Sequence, residues 1–256
     1  MPFASGIHYT THRPVDNSRP PLILIHGAGG SLLSWHPYLR RLADVNVYAL
    51  DLPGHGKSQG ESRASIETYA DDIFAFMQAL GLKTGILTGL SMGSGIALTL
   101  VLKYPHMFKG LSVLGGGAKL RVAKATLEMT ENPATFPSAV ETINTNCFSD
   151  YAPQELVQLS RQNMLNMSPA NLAADFRACD QFDVSDELRR IQIPTLIICG
   201  ADDKMTPPKL SQFLNQQIPN SELHILEKTG HMVTLEQPER VANLLTRFIE
   251  KVAPLP

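Results

Sequence analysis

Six short apolar runs punctuate the chain, at residues 22–25, 45–50, 86–90, 111–114, 196–199 and 223–226. Most do not alternate with polar residues. A strand that is apolar on both faces must be covered on both faces, which is the habit of a mainly parallel sheet. Helical spacing fills the intervals. Trp35, Leu39, Leu42 and Ala43 share one face. Ile66, Tyr69, Ala70, Ile73, Phe76, Met77 and Leu80 recur at threes and fours, with Ser65 as N-cap and Gly81 as stop. Residues 93–102 are small or apolar and end before Pro105. A last helix spans 238–252, with Pro238 in its first turn and Val241, Leu244, Leu245, Phe248 and Ile249 inward. Strands alternating with helices predict an α/β fold: a mostly parallel central sheet flanked by helices.

Residues 118–190 break this rhythm, because no long β-branched run occurs there. Segments 122–129, 137–144, 153–166 and 169–177 read as short helices punctuated by Pro133, Pro137, Pro153 and Pro169. The expected organisation is a core of residues 1–117 and 191–256 with a helical cap, 118–190, inserted between two strands. Open α/β sheets take ligands at the C-terminal ends of their strands, so the cap is placed over that edge.

The chain has 256 residues, of which 43% are hydrophobic and 18% charged, as expected of a globular protein. The formal net charge is -2, and no Lys/Arg cluster suggests a nucleic-acid partner. No apolar run approaches the length of a membrane span, and the N-terminal residues, from Met1 on, lack the pattern of a signal peptide. Cys147, Cys179 and Cys199 have the spacing of neither a disulfide framework nor a zinc site, which favours a reducing, cytoplasmic home. Asn166-Met167-Ser168 is a formal glycosylation sequon without a secretory context, and nothing marks an oligomer interface.

The sharpest chemical signal is Gly89-Leu90-Ser91-Met92-Gly93, which follows an apolar strand and opens a helix. Glycines on either side allow strand and helix to close on a serine held at a tight corner. Met92 then offers a backbone N–H without an intrahelical partner, suited to a developing oxyanion. A serine hydroxyl needs a base. His231 follows the last strand through a short loop, which puts it on the same edge as Ser91. His26 is read as structural. The base needs an acid, and both Asp202 and Asp203 stand past the end of the strand at 196–199; residue pattern leaves that choice open, the other carboxylate capping the turn or pairing with Lys204. His26-Gly27-Ala28-Gly29-Gly30 supplies a glycine-rich loop for the second oxyanion donor, with Ala28 preferred and Gly29 next.

Taken with Asp51-Leu52-Pro53-Gly54-His55-Gly56-Lys57-Ser58, Gly200-Ala201-Asp202-Asp203 through Pro207, and Gly230-His231, these pieces resemble the α/β-hydrolase superfamily, specifically its small, helically capped serine hydrolases. The resemblance implies Asp203 as the acid, Ala28 with Met92 as the oxyanion donors, and a structural role for the 51–58 loop. A P-loop reading of Gly56-Lys57-Ser58 fails because Asp51 stands where glycine is required.

The expected reaction is cleavage of a carboxylic ester through an acyl-enzyme on Ser91, with His231 as base and then acid and Asp203 stabilising its imidazolium. No step calls for a metal or organic cofactor. Gly29, Met129, Phe136, Met164 and Met167 are candidate pocket residues for an uncharged ester of short to medium chain, although such residues equally build a cap's own core. Lactonases, C–C bond hydrolases and cofactor-free haloperoxidase-like enzymes share this triad. A non-enzymatic small-molecule receptor on the same fold is the alternative of another class.

Overall fold

The computed structural model describes residues 2–13 and 19–254, so Met1 lies outside the described residues. All six expected runs are strands: β3 (Leu22–Ile25), β4 (Val47–Leu50), β5 (Gly85–Leu90), β6 (Phe108–Leu114), β7 (Thr195–Gly200) and β8 (Ser221–Leu226). They join two strands that hydrophobic runs did not announce, β1 (Phe3–Ala4) and β2 (Ile7–His12). These form a hairpin whose turn residues Ser5 and Gly6 both have positive φ, the handedness that suits a two-residue connection. The sheet has eight strands in the order β1-β2-β4-β3-β5-β6-β7-β8. Pairing is parallel from β4 through β8 and antiparallel at β1–β2 and β2–β4.

The helices are α1 (Pro37–Arg40), α2 (Ile66–Ala79), α3 (Met92–Lys103), α4 (Lys124–Glu131), α5 (Phe136–Cys147), α6 (Gln154–Leu165), α7 (Pro169–Gln181), α8 (Pro208–Gln217), α9 (Val233–Glu236) and α10 (Pro238–Val252). The strands pack on both faces, as their continuous hydrophobicity requires. Ile23, Ile25, Leu87 and Val113 meet α2 and α3 through Tyr69, Ile73, Phe76 and Ile96. Leu22, Leu24, Leu196 and Ile198 belong to the opposite layer with Trp35 and, from α10, Val241, Leu245 and Phe248. Each such fully buried side chain contributes about 1.5–3 kcal/mol. No helix among the described residues is long and apolar enough to cross a membrane.

The expected helix carrying Trp35, Leu39, Leu42 and Ala43 is corrected to the single turn α1. Trp35 enters from a preceding 3-10 turn capped by Ser31, and Pro37 suits the first turn of the helix that follows. Asp44, with φ 57, turns the chain before Val45. Trp35, Leu39 and Leu42 are buried, but Ala43 is exposed.

Helices α4 to α7 leave the sheet after β6 and return before β7. The two ends of the excursion meet where Val184 N–H donates to the Ala118 carbonyl at 2.9 Å, beside a bridge between Lys119 and Asp183. The inserted helices enclose a core of their own, built on Phe136, Val140, Ile143, Met164, Leu172 and Phe176.

Candidate active site

Ser91 stands between β5 and α3 with φ 54 and ψ -119, a left-handed conformation for a non-glycine residue. Such strain persists only where the surroundings fix it. A Cβ at position 89 would stand 2.1 Å from the Gly93 carbonyl oxygen, and one at 93 would stand 2.1 Å from that of Ile25. No side chain fits at either position, so the glycines permit the corner. Ser91 N–H donates to the Leu114 carbonyl at 2.9 Å, and its side chain makes no cap to α3. Ser91 is partly exposed, whereas Leu90 and every residue of α3 from Met92 to Val101 are buried.

Of the two aspartates after β7, Asp203 is buried and Asp202 is exposed. Asp203 Oδ2 lies 2.9 Å from His231 Nδ1. Its Oδ1 accepts the N–H groups of Met205 at 2.9 Å and Thr206 at 2.8 Å, and Thr206 Oγ1 donates to Oδ2 at 2.8 Å. Burial alone would raise this carboxyl, but the facing His231 ring and these donors outweigh it and hold Asp203 below the ordinary carboxylate value. Lys204 pairs with Asp150, at 4.0 Å, rather than with Asp202. His231 leans back over the end of β6, where a Cβ at Gly115 would stand 3.1 Å from its Nδ1. Gly115 adjoins Leu114, which holds the Ser91 backbone, so the serine and the imidazole share one rim of the sheet.

The loop after β3 borders the same corner, for a Cβ at Gly27 would stand 2.9 Å from Ser91 Cβ. His26 is buried, and its Nε2 accepts the Leu52 N–H at 3.0 Å. Its Nδ1 therefore carries the proton and donates to the Gly27 carbonyl at 2.8 Å. Burial, then the charge of His55, lowers its pKa to about 4, in keeping with a neutral ring. The Gly27 carbonyl also accepts the Gly30 N–H at 3.1 Å. Across a trans peptide, the Ala28 N–H points the opposite way and is left for another acceptor. Gly29, the second choice for that role, is already committed: its N–H donates to Asp175 Oδ2 at 2.9 Å.

Residues 22–244 match the Alpha/beta hydrolase family. The chain belongs to that family. Among its relatives is 3-oxoadipate enol-lactonase 1 of Acinetobacter baylyi, 26% identical over 240 residues, which span 91% of this chain and 90% of the lactonase. A thermophilic esterase of known structure superposes with a TM-score of 0.81 at 28% identity, covering 96% of this chain and 98% of the esterase. The enol-lactonase of Burkholderia xenovorans shares the fold with a TM-score of 0.88 at 21% identity, over 95% of this chain and 96% of its own.

In this α/β hydrolase the candidate pocket residues divide. A Cβ at Gly29 would stand 2.8 Å from Leu172 Cδ1, 3.4 Å from Met167 Sδ and 3.8 Å from Met164 Cε, so Gly29, Met164 and Met167 come together above the 26–30 loop. Phe136 and Met164 are buried in the core of the inserted helices, and Met129 packs against it. A cavity of about 230 Å³ opens elsewhere, between these helices and the loop after β7, with Val122, Ile143, Phe176, Met205, Arg121 and Lys204 in its lining. None of the five candidate residues lines it. The cysteines are buried, and burial, with nearby carboxylates, pushes the Cys147 thiol up to about 12.

Three further residues were not singled out from sequence. Thr206 touches both Asp203 and His231, its Oγ1 lying 3.1 Å from Nδ1. Glu236 accepts the Gly230 N–H at 3.0 Å and the Ser149 hydroxyl at 2.7 Å, bracing the His231 loop against the end of α5. Asp175 reaches the 26–30 loop from α7. Only Thr206 had a local signal, an Asp with a Thr three residues on.

Proposed function

We propose that this chain is a serine hydrolase that cleaves carboxylic esters through an acyl-enzyme. Ser91 is the nucleophile, His231 the general base and Asp203 its orienting acid; the N–H groups of Ala28 and Met92 receive the oxyanion. The observation that carries this reading is the 2.9 Å contact between a buried imidazole and a buried carboxylate on the sheet rim that holds the strained Ser91 corner.

In the reaction, His231 Nε2 takes the Ser91 proton as Oγ adds to the carbonyl carbon. Oxygen charge develops against Ala28 and Met92, at two N–H groups already oriented by the loop and by the helix start. The imidazolium protonates the leaving alcohol, and Asp203 stabilises that cation without taking its proton. Water, deprotonated by His231, then releases the acid. Residues 118–190 act as a cap, and Met164 and Met167 are adaptable neighbours for the substrate near Gly29. The substrate favoured is an uncharged ester of short to medium acyl chain.

The test is fluorophosphonate labelling with mass-spectrometric mapping, then a panel of p-nitrophenyl esters, lactones and a vinylogous diketone on the same protein. Labelling at Ser91 and ester turnover are expected, with Ser91→Ala about 10⁶-fold slower in kcat. Labelling elsewhere, or parental turnover by Ser91→Ala, overturns the assignment; preference for lactone or diketone moves the substrate class and keeps the mechanism.

A further inference from the structure

Asp175 is carried on α7, in the inserted helices, yet its side chain is fully buried against the core. Oδ1 accepts the Tyr69 hydroxyl at 2.5 Å, and Oδ2 accepts His55 Nε2 at 2.7 Å and the Gly29 N–H at 2.9 Å. His55 Nδ1 in turn donates to the Pro53 carbonyl at 3.0 Å. Both ring nitrogens face acceptors, so His55 carries both protons. Burial opposes that charge, but the Asp175 carboxylate and its hydrogen bond outweigh burial and raise the His55 pKa. The result is an imidazolium–carboxylate pair with neither side chain exposed. A buried pair of this kind adds little stability over a well-packed apolar replacement, so what it contributes is geometric.

That geometry concerns the loop next to Ser91. Residues 27–30 form a turn closed by the Gly30 N–H on the Gly27 carbonyl. Gly29 has φ +66 while Ala28 is not left-handed, which makes the turn type II. Its middle peptide presents the Gly29 N–H to Asp175 and points the Ala28 carbonyl the other way. A type I turn of the same residues has that peptide rotated by half a turn. The Ala28 carbonyl would then face the Asp175 carboxylate, acceptor against acceptor, so the carboxylate holds the peptide as it stands.

We propose that Asp175 is a positioning residue for the oxyanion loop: from the inserted helices it locks the Ala28–Gly29 peptide and so fixes the turn that presents the Ala28 N–H. The inference rests on the serine-hydrolase reading above. It makes the inserted helices part of the machinery that prepares the loop, in addition to whatever they contribute to substrate contact.

The test compares Asp175→Asn, Asp175→Glu and Tyr69→Phe with the parent, using a p-nitrophenyl ester, fluorophosphonate labelling and thermal melting. Asparagine removes the charge that keeps His55 doubly protonated; with Nε2 bare, the amide turns its NH₂ to His55 and its oxygen to the Tyr69 hydroxyl, and the Gly29 N–H loses its acceptor. Glutamate keeps the charge for His55, which protects folding, but its extra methylene displaces the carboxylate from Gly29. Both are expected to lower kcat by about 10- to 100-fold and to slow labelling of Ser91 in proportion, with KM within about threefold, as for partial loss of an oxyanion donor. Tyr69→Phe removes a donor from the oxygen remote from the loop; it is expected to lower the melting temperature and leave kcat within about twofold. Parental kcat in folded Asp175→Asn or Asp175→Glu overturns the inference, and so do kcat losses that follow melting temperature alike in all three variants. If the parent neither turns over nor labels at Ser91, the hydrolase reading falls and takes this inference with it. If the parent does both and the Asp175 variants keep kcat, only the inference falls.

Discussion

Gly115 lies directly against the His231 ring, so close that a Cβ there would meet Nδ1 at 3.1 Å and Cε1 at 3.2 Å. Gly115 also has φ +50. Gly115→Ala therefore adds backbone strain of about 1–2 kcal/mol and pushes the imidazole by a few tenths of an ångström. The expected result is a kcat about 10- to 100-fold lower, since small misplacements are costly in a preorganised site, and a melting temperature a few degrees lower. Steady-state kinetics and a thermal melt on the same sample check it; an unchanged kcat would show that the ring has room.

Thr206→Val keeps shape and removes the hydroxyl that donates to Asp203. The backbone N–H of Thr206 remains on Oδ1, so the loss of kcat is expected to be mild, about 3- to 10-fold. The acid limb of stability moves as well. A carboxyl held low in the folded state contributes stability that is present above its unfolded pKa, near 3.9, and is lost as pH falls through the folded value. Without the hydroxyl the folded value rises, and the loss should begin at higher pH. Melting curves between pH 5 and about 2.5 read this directly.

Glu236→Gln tests the brace on the histidine loop. Every group facing this carboxylate is a donor: the N–H groups of Gly230 and Ser149 and the Ser149 hydroxyl. An amide sets an NH₂ against one of them. We expect kcat to fall about 10-fold with KM nearly constant, because the residue positions His231 and does not meet substrate. A rise in KM at constant kcat would instead place Glu236 on the binding side.

His26 and His55, both buried, lie with ring centroids 4.9 Å apart and predict opposite pH slopes. His26, lowered from 6.5 to about 4, contributes stability that is complete above pH 6.5 and is lost as pH falls towards 4. His55 is raised, so its contribution is complete below about 6.5 and is lost as pH rises through its folded value. Asp175, Asp51 and the Pro53 carbonyl face it and favour its charge; burial and the neighbouring His26 do not. Between pH 4 and 9 the melting temperature should peak near 6.5, and His55→Gln should flatten the alkaline side. A parent whose alkaline side is already flat would sink this account of the pair.

The serine corner was legible because its signal is local: two glycines, a strand before and a helix after. Strands β3 to β7 were legible because they are largely apolar on both faces, whereas β8, with Glu222 and His224 and mostly half-buried, showed only in its more apolar end, residues 223–226. β2 was not legible, since Ile7-His8-Tyr9-Thr10-Thr11-His12 is half polar and its order comes from antiparallel pairing with residues 47–50. Asp203 was separated from Asp202 only by resemblance; burial and four hydrogen-bonding contacts now distinguish them physically. Asp175 and Glu236 could not be found from spacing. Their partners Gly29 and Ser149 stand 146 and 87 residues away, and only the completed fold brings them within reach.

The carbonyl of Cys147, at the end of α5, accepts the backbone N–H groups of both His231 and Met232. Raising the inserted helices from that side would break both bonds and free the backbone of residue 231. On the hydrolase reading, the imidazole and the inserted helices are set by one shared anchor, and a change that loosens the one is expected to loosen the other.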